Sequence, residues 1–406
     1  MVKTLNFLII PPLLIFIFAI FVGFLTYRVS WVNNDRHFAK LAKSFINGDL
    51  SLSPYNLPDG DYADFKGKQY IFYGPLPSLI LIPFIYIWGQ DFPQELLPLA
   101  SLALIYWAIF KLSRVFNFSQ VDAFWLANFF VFGTVLYFVG LVNISAYLVQ
   151  TVATAFLILP LWEYFTQRRW FVIGLLVAAA GATRVTLFGM SLFFVLEIWR
   201  RRSQIDLVKS LAYLMLPIIF TVSVLGIYNF RRFNSFFDTG YTYNASVRDK
   251  DNGNYKLGWF SPEHIPANLY ALLIMPPEPV VKKGYQFVLE FPYLRVNHFG
   301  LAIWFTSPLF LYLVAVRKRL YTVPAVLTIV VLAIPSLVYF GIGISQYGYR
   351  YSLDFLPLLF LILLSAFPKG LTFRAKAIIA VGIIFNGFYM ASIWGQYPLF
   401  SFWDYF

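Results

Sequence analysis

Long apolar runs separated by short polar stretches dominate this chain, and their spacing is helical. A membrane-spanning helix needs about 20 mostly apolar residues. The first run covers Leu5 to Tyr27. It is long for a signal-peptide core and no small-residue cleavage site follows it, so it reads as an uncleaved first span. Later runs fall at 94–114, 121–142, 146–165, 207–229, 298–316, 321–341, 352–367 and 377–396. Residues 170–183 and 186–199 read as two shorter crossings that meet at Gly181-Ala182-Thr183-Arg184. The stretch 76–88 is apolar but short and carries Pro77 and Pro83. A full crossing there breaks the alternation of the loops, so it is expected as an interfacial or re-entrant helix. The pattern predicts an all-α polytopic membrane protein with about 11 transmembrane helices. Residues 1–406 read as a single transmembrane domain with two polar outer loops, 28–75 and 231–297.

Charge orients this layout. Basic clusters interrupt the runs at Arg168-Arg169, Arg200-Arg201-Arg202, Arg317-Lys318-Arg319 and 369–376. Under the positive-inside rule these are cytoplasmic loops. The N-terminus then lies inside, the C-terminus outside, and both polar loops share the outer face. Composition agrees: 60% of residues are hydrophobic and only 12% charged, against about 25% charged in soluble domains. A soluble enzyme is excluded. The net charge of +12 sits in loops rather than in a basic stripe interleaved with stacking aromatics, so no nucleic-acid partner is expected. With no Cys and three His, disulfides, thiolate metal sites, Cys nucleophiles and poly-His sites drop out. The lack of cysteine and of a long soluble tail suits a bacterial or archaeal plasma (inner) membrane.

The first outer loop carries candidate chemistry. Within 34–47, Phe38, Leu41, Ala42, Phe45 and Ile46 fall on one helical face, and Arg36, Lys40, Lys43 and Asn47 on another. Asn33 or Asn34 is expected to cap the start and Gly48 to end it. Such a helix is expected to lie in the interface, apolar face down and basic face toward lipid phosphates. Asp35 is expected in its first turn, where the helix dipole favours the ionised carboxylate. Flanked by Arg36 and His37, it suits a general base beside a phosphate site, or simply a cap. Lys66-Gly67-Lys68 reads as a hairpin tip leading into an aromatic strand through Tyr70; its lysines meet phosphate or form a solvated turn. Asp59, Asp61 and Asp64, near Gly60, superficially resemble a calcium loop, but the EF-hand pattern with Gly at its sixth position and a terminal Glu is absent. Arg184, between two apolar stretches, faces a cavity or snorkels. Arg350, beside Tyr351, stands one turn from Asp354, a spacing that also suits a local ion pair.

These pieces together resemble a known class. A first span is followed by Asp35-Arg36-His37-Phe38-Ala39-Lys40-Leu41-Ala42 and Gly48-Asp49-Leu50, then Gly67-Lys68-x-Tyr70 and a Gly-Pro-x-Pro helix. Later come Arg232 to Tyr241 after one span and Gly348 to Pro357 opening another. This resembles the GT-C class of polytopic glycosyltransferases, nearest its bacterial members related to protein O-mannosyltransferases and aminoarabinose transferases. The resemblance implies a polyprenyl-phosphate-linked sugar donor and a catalytic acid in the first outer loop, a position only Asp35 fills. Arg350, Arg184, Lys68 and His37 are then candidates to steady the leaving phosphate, and Arg36, Lys66, Tyr70 and Tyr351 to bind substrate. The 46 Phe suit a groove for the lipid tail. The acceptor is a glycan, lipid or protein hydroxyl. One departure stands out: related enzymes often carry a second acid where the fourth and fifth spans meet outside, and here that turn reads Asn143-Ile144-Ser145-Ala146-Tyr147. No cofactor is called for, and a divalent metal is left open without support from the residues. The competing readings are a transporter or flippase for a lipid-linked saccharide, and a non-catalytic GT-C-like scaffold; no internal repeat of the transporter kind is visible.

Overall fold

The computed structural model describes residues 2–30, 36–52, 62–142, 144–244, 256–343 and 346–396. In chain order, α1 (Val2–Ser30) and α2 (His37–Ile46) lead to a hairpin of β1 (Ala63–Phe65) and β2 (Lys68–Tyr70). Then come α3 (Leu76–Trp88), α4 (Leu96–Val115), α5 (Gln120–Phe132), α6 (Leu136–Leu141), α7 (Ser145–Phe165) and α8 (Trp170–Thr183). A 3-10 turn, Val185–Met190, joins α8 to α9 (Ser191–Arg200), and α10 (Leu207–Phe233) follows. The remainder is α11 (Ile265–Leu273), a hairpin of β3 (Glu278–Val281) and β4 (Leu289–Arg295), α12 (Ile303–Thr306), α13 (Thr322–Leu337), α14 (Leu356–Leu363) and α15 (Phe373–Gln396). The protein is mostly helical. Among the described residues, four helices are long and apolar enough to cross a membrane: α4, α7, α10 and α15.

Several predicted runs form continuous helices, including those at 94–114, 146–165, 170–183 and 207–229. Others are interrupted. The run 121–142 breaks at Gly133 into α5 and α6. The run 298–316 is no continuous helix: α12 has four residues, and a 3-10 turn, Pro308–Ala315, takes over. Pro308 supplies the reason, because proline pushes the residue before it out of the helical region, and Ser307 sits at φ −140°, ψ 62°. The run 352–367 divides likewise into a 3-10 turn, Arg350–Asp354, α14, and a second turn, Leu364–Ala366. Residues 186–199 divide into the turn after α8 and α9. The stretch 76–88 is one helix of 13 residues, about 20 Å long at 1.5 Å per residue. That is too short to cross alone.

By their contacts the residues group into two compact units. The first unit comprises 1–33, 104–142 and 260–406. Here α1 packs on α5 and α15, with Phe16, Tyr106 and Phe132 ring to ring at 5.5–6.2 Å. Buried polar side chains service the helix breaks. Asn386 of α15 donates to the carbonyls of Phe132 (3.1 Å) and Thr306 (3.0 Å), and accepts from the Tyr347 hydroxyl (2.6 Å). Asn268 of α11 donates to the carbonyls of Leu337 (3.1 Å) and Tyr339 (2.9 Å), closing the end of α13, and accepts from the Tyr349 hydroxyl (3.0 Å). Asn128 of α5 donates to the Pro12 carbonyl at 2.9 Å.

The second unit comprises 34–103 and 143–259. Its centre is α7, 83% of whose apolar window is buried. α8 packs between α7 and α10. The close approach depends on Gly174, where an added Cβ would meet the Leu214 carbonyl oxygen at 2.3 Å; small residues allow such backbone contact. α10 is the opposite of α7: only 22% of its window is buried, and Leu216, Ile219 and Phe220 are exposed. Hydrocarbon suits that face and water does not.

Asn386→Ala is expected to leave two buried carbonyls and a tyrosine hydroxyl unsatisfied. At about 1–3 kcal/mol for a buried orphan group, the detergent-solubilised protein should melt several degrees lower. An unchanged melting temperature would sink this account of the breaks.

Candidate functional site

The helix after α1 is built as a cradle element rather than a floating one. α2 starts at His37, with Arg36 as its cap in the left-handed region (φ 41°, ψ 26°). This corrects the expected boundary: Asp35 falls before the helix, and no acidic residue stands in its first turn. Asp35 itself lies outside the described residues, as do Asn33, Asn34, Asp59, Asp61 and Asn143. The first free N–H groups of α2 go instead to a neutral acceptor. Gln94 Oε1, fully buried, accepts from the backbone N–H of Phe38 and of Ala39, both at 3.1 Å. His37 is buried, and its Nδ1 lies 3.1 Å from the Ser145 hydroxyl at the start of α7. Ser145 thus stands in the turn where the resemblance leads one to look for a second acid. Arg36 Nη1 donates to the Asp91 carbonyl (3.2 Å) and side chain (3.4 Å).

The apolar face of α2 forms as read, but protein covers it. Phe38, Leu41 and Ala42 are fully buried against Leu81 and Ile85 of α3 and Leu148, Val149 and Val152 of α7. The expectation of an apolar face lying on lipid is therefore corrected. The helix ends as predicted at Gly48 (φ 77°), with the Asp49 N–H donating back to the Ser44 carbonyl at 2.9 Å.

The hairpin tip also forms as read. β1 and β2 pair antiparallel, and Lys66 (φ 50°) and Gly67 (φ 74°) both adopt the left-handed conformation that a tight two-residue turn demands. Lys66 and Lys68 are exposed, with Lys66 Nζ 5.3 Å from the Phe65 ring. Tyr70 is buried, its ring 5.3 Å from that of Phe233.

What the sequence reading missed is Arg232. It projects from the last turn of α10 and is 4% exposed. Its Nη1 donates to the Ile71 carbonyl at 2.5 Å and its Nη2 to Asn229 Oδ1 at 2.8 Å. Its guanidinium lies over the rings of Tyr228 (3.8 Å) and Phe233 (4.6 Å). A buried cation stacked on aromatics and bonded to a carbonyl ties the loop after β2 to α10. A signal was available: Arg231-Arg232 is a basic pair on the predicted outer side, where the positive-inside rule leads one to expect few.

Asp49 belongs to the same neighbourhood electrostatically. Its Oδ1 accepts from the N–H of Leu50 (2.7 Å) and Ser51 (3.0 Å), and its Oδ2 from the Ser51 hydroxyl (3.0 Å). Burial works to raise its pKa, but the Ser51 and Leu50 hydrogen bonds and the Lys68 charge outweigh it, and the carboxyl sits below its usual range. Tyr70 is pushed up, by burial first and by the Asp49 charge second, against an opposing pull from Arg232.

Arg184 occupies the break after α8 in an extended conformation (φ −143°, ψ 115°). The preceding carbonyl, Thr183, accepts from the Gly74 N–H at 3.2 Å, so the break adjoins the start of α3. The second unit therefore holds Arg36, His37, Lys66, Lys68, Tyr70 and Arg184. Arg350 and Tyr351 belong to the first. There the Arg350 guanidinium lies 4.8 Å from the Tyr351 ring and its Nη2 donates to the Tyr351 hydroxyl at 3.3 Å. The segment is a 3-10 turn rather than the α-turn that the Arg350–Asp354 spacing suggested. Among the described residues, no group of three or more His, Cys, Asp or Glu stands where it would hold a metal ion.

The depressed carboxyl of Asp49 sets a pH dependence. A group whose folded pKa lies below its unfolded value adds stability above the unfolded value and loses it as pH falls through the folded one. Asp49→Asn should thus melt lower than the parent near neutral pH, and the two curves should converge below about pH 4. Melting followed by intrinsic fluorescence across that range checks this; a gap that stays constant with pH would contradict it.

The chain matches no family model, no curated protein and no solved structure.

Proposed function

We propose that the protein is a membrane glycosyltransferase that moves a sugar from a polyprenyl-phosphate donor to a glycan, lipid or protein hydroxyl. In this reading the chain crosses a plasma (inner) membrane about 11 times, with the N-terminus inside, the C-terminus outside and the chemistry on the outer face. One observation carries it: the segment directly after Asp35 is immobilised. The Gln94 cap, the His37–Ser145 hydrogen bond and the apolar face buried on α3 and α7 give α2 one orientation. A general base must be held within hydrogen-bond reach of the proton it takes, and a loose connector does not do that.

The reaction would run as a displacement at the sugar's anomeric carbon. Asp35 takes the acceptor hydroxyl's proton, the oxygen bonds to the carbon, and the carbon–oxygen bond to the lipid phosphate breaks with its electron pair leaving on the phosphate. Negative charge grows on the departing phosphate, so cations aimed there lower the barrier. Arg184 and Lys68, which belong to the same unit as His37, are the candidates. His37, buried and bonded to Ser145, is better suited to positioning α2 than to meeting the phosphate.

Asp35→Asn should cut sugar transfer by about 10²–10⁴-fold, the usual contribution of a general base, while membrane insertion stays normal. The assay is transfer from a panel of labelled polyprenyl-phosphate sugars in vesicles. Full activity in the variant would remove Asp35 from the role. Arg184→Ala should weaken binding of polyprenyl phosphate itself; unchanged affinity removes Arg184 from the donor site.

A further inference from the structure

Two loops at one end of α7 carry five arginines, and the second unit joins them into a single surface. Tyr164, fully buried near the end of α7, is the junction. Its hydroxyl donates to Glu197 of α9 and accepts from Arg201 Nε at 3.2 Å. Its ring lies under the guanidinium of Arg168 (5.1 Å) and beside that of Arg201 (5.8 Å). The turn after α7 and the end of α9 are therefore one structure.

The charges in it do not cancel. Glu163 is taken by Arg169, through two bonds of 2.9 Å. Glu197, fully buried, is taken by Arg200, with Arg201 Nε at 3.9 Å. Glu163 and Glu197 meet three of the five guanidiniums, those of Arg169, Arg200 and Arg201, and among the described residues neither meets Arg168 or Arg202. Arg168 sits at φ 57°, and its Nε is buried without a hydrogen-bond partner among the described residues. A left-handed backbone at a non-glycine residue costs about 1–3 kcal/mol and persists only where the surroundings enforce it. Arg202 is exposed, with its guanidinium 5.0 Å from the Trp199 ring, and Trp199 is itself 56% exposed.

The depth of this surface identifies its occupant. It caps α7, a helix long and apolar enough to cross a membrane, and Trp170 and Trp199 stand at the same end, as interfacial aromatics do. At that level the available anion is a lipid phosphate, which guanidinium groups bind through paired hydrogen bonds. A topology signal alone requires basic residues, but not a buried Tyr164–Glu197 network that holds them in place. We propose that Arg168, Arg201 and Arg202, gathered on Tyr164 and Trp199, form a headgroup site for an anionic phospholipid. The site is separate from the proposed transfer chemistry and does not depend on it.

The test is native mass spectrometry of the full chain in mild detergent, titrated with dioleoyl phosphatidylglycerol or dioleoyl phosphatidylcholine. Phosphatidylglycerol should bind about tenfold more tightly. Arg168→Gln and Arg202→Gln should each weaken it about fivefold, with phosphatidylcholine binding unchanged. Arg317→Gln with Arg319→Gln, in an exposed basic run elsewhere, should leave it unaltered. Arg202 is exposed, so its variant decides the matter even if Arg168→Gln folds poorly. Equal affinity for the two lipids, no loss in Arg202→Gln, or an equal loss in the Arg317/Arg319 variant would each overturn the site.

Discussion

A backbone carbonyl buried without a partner is the constraint that organises this molecule. A continuous helix satisfies its own carbonyls; a broken helix in apolar surroundings does not, and no water is at hand to replace the lost bond. This chain breaks its helices repeatedly and supplies buried donors to carbonyls at several breaks, helix ends and loops. Asn386 serves Phe132 and Thr306, and Asn268 serves Leu337 and Tyr339. The Gly74 amide serves Thr183, and Arg232 serves Ile71. The energetics are asymmetric. A satisfied bond contributes about 1 kcal/mol net, whereas an orphaned group costs up to about 3 kcal/mol. The donors therefore determine where the chain is able to bend.

The same logic holds the segment between α1 and α3 in place. Its helix is short, with ten residues, and alone would be marginal in water. Burial of Phe38, Leu41 and Ala42 against α3 and α7 holds it, and the Gln94 amide replaces a charged cap at its start. The other end of the loop is held by Arg232, whose aromatic sandwich and carbonyl bond keep a desolvated cation in place. Arg36 shows the contrast. Its partner Asp91 is 89% exposed, and a pair so wet contributes about 1 kcal/mol at most. Gln94 and the buried face, rather than that ion pair, decide where α2 sits.

Patterning alone determined much here. The apolar runs, the hairpin at Lys66-Gly67 and the apolar stripe of α2 are all local: each follows from residue type and spacing, because helical periodicity and turn chemistry act over a few residues. The helical, membrane-type character of the chain follows from composition, which no soluble surface can accommodate. α2 starts two or three residues later than an Asn33 or Asn34 cap predicts, because its capping acceptor is not a neighbour in the chain. The structure draws its capping acceptor from Gln94, 55 and 56 residues away.

Only the tertiary structure decided which polar side chains matter. Asn268, Asn386 and Tyr164 look unexceptional in the sequence, and even for Arg232, whose place is unusual, nothing local says which distant carbonyl it will meet. Whether the stripe of α2 faces lipid or protein is likewise invisible to periodicity, which identifies a face but not what covers it. Composition and spacing report what a residue prefers. Folding alone brings together partners far apart in the chain, and in an apolar interior those pairings govern where a charge is tolerated and where a helix ends.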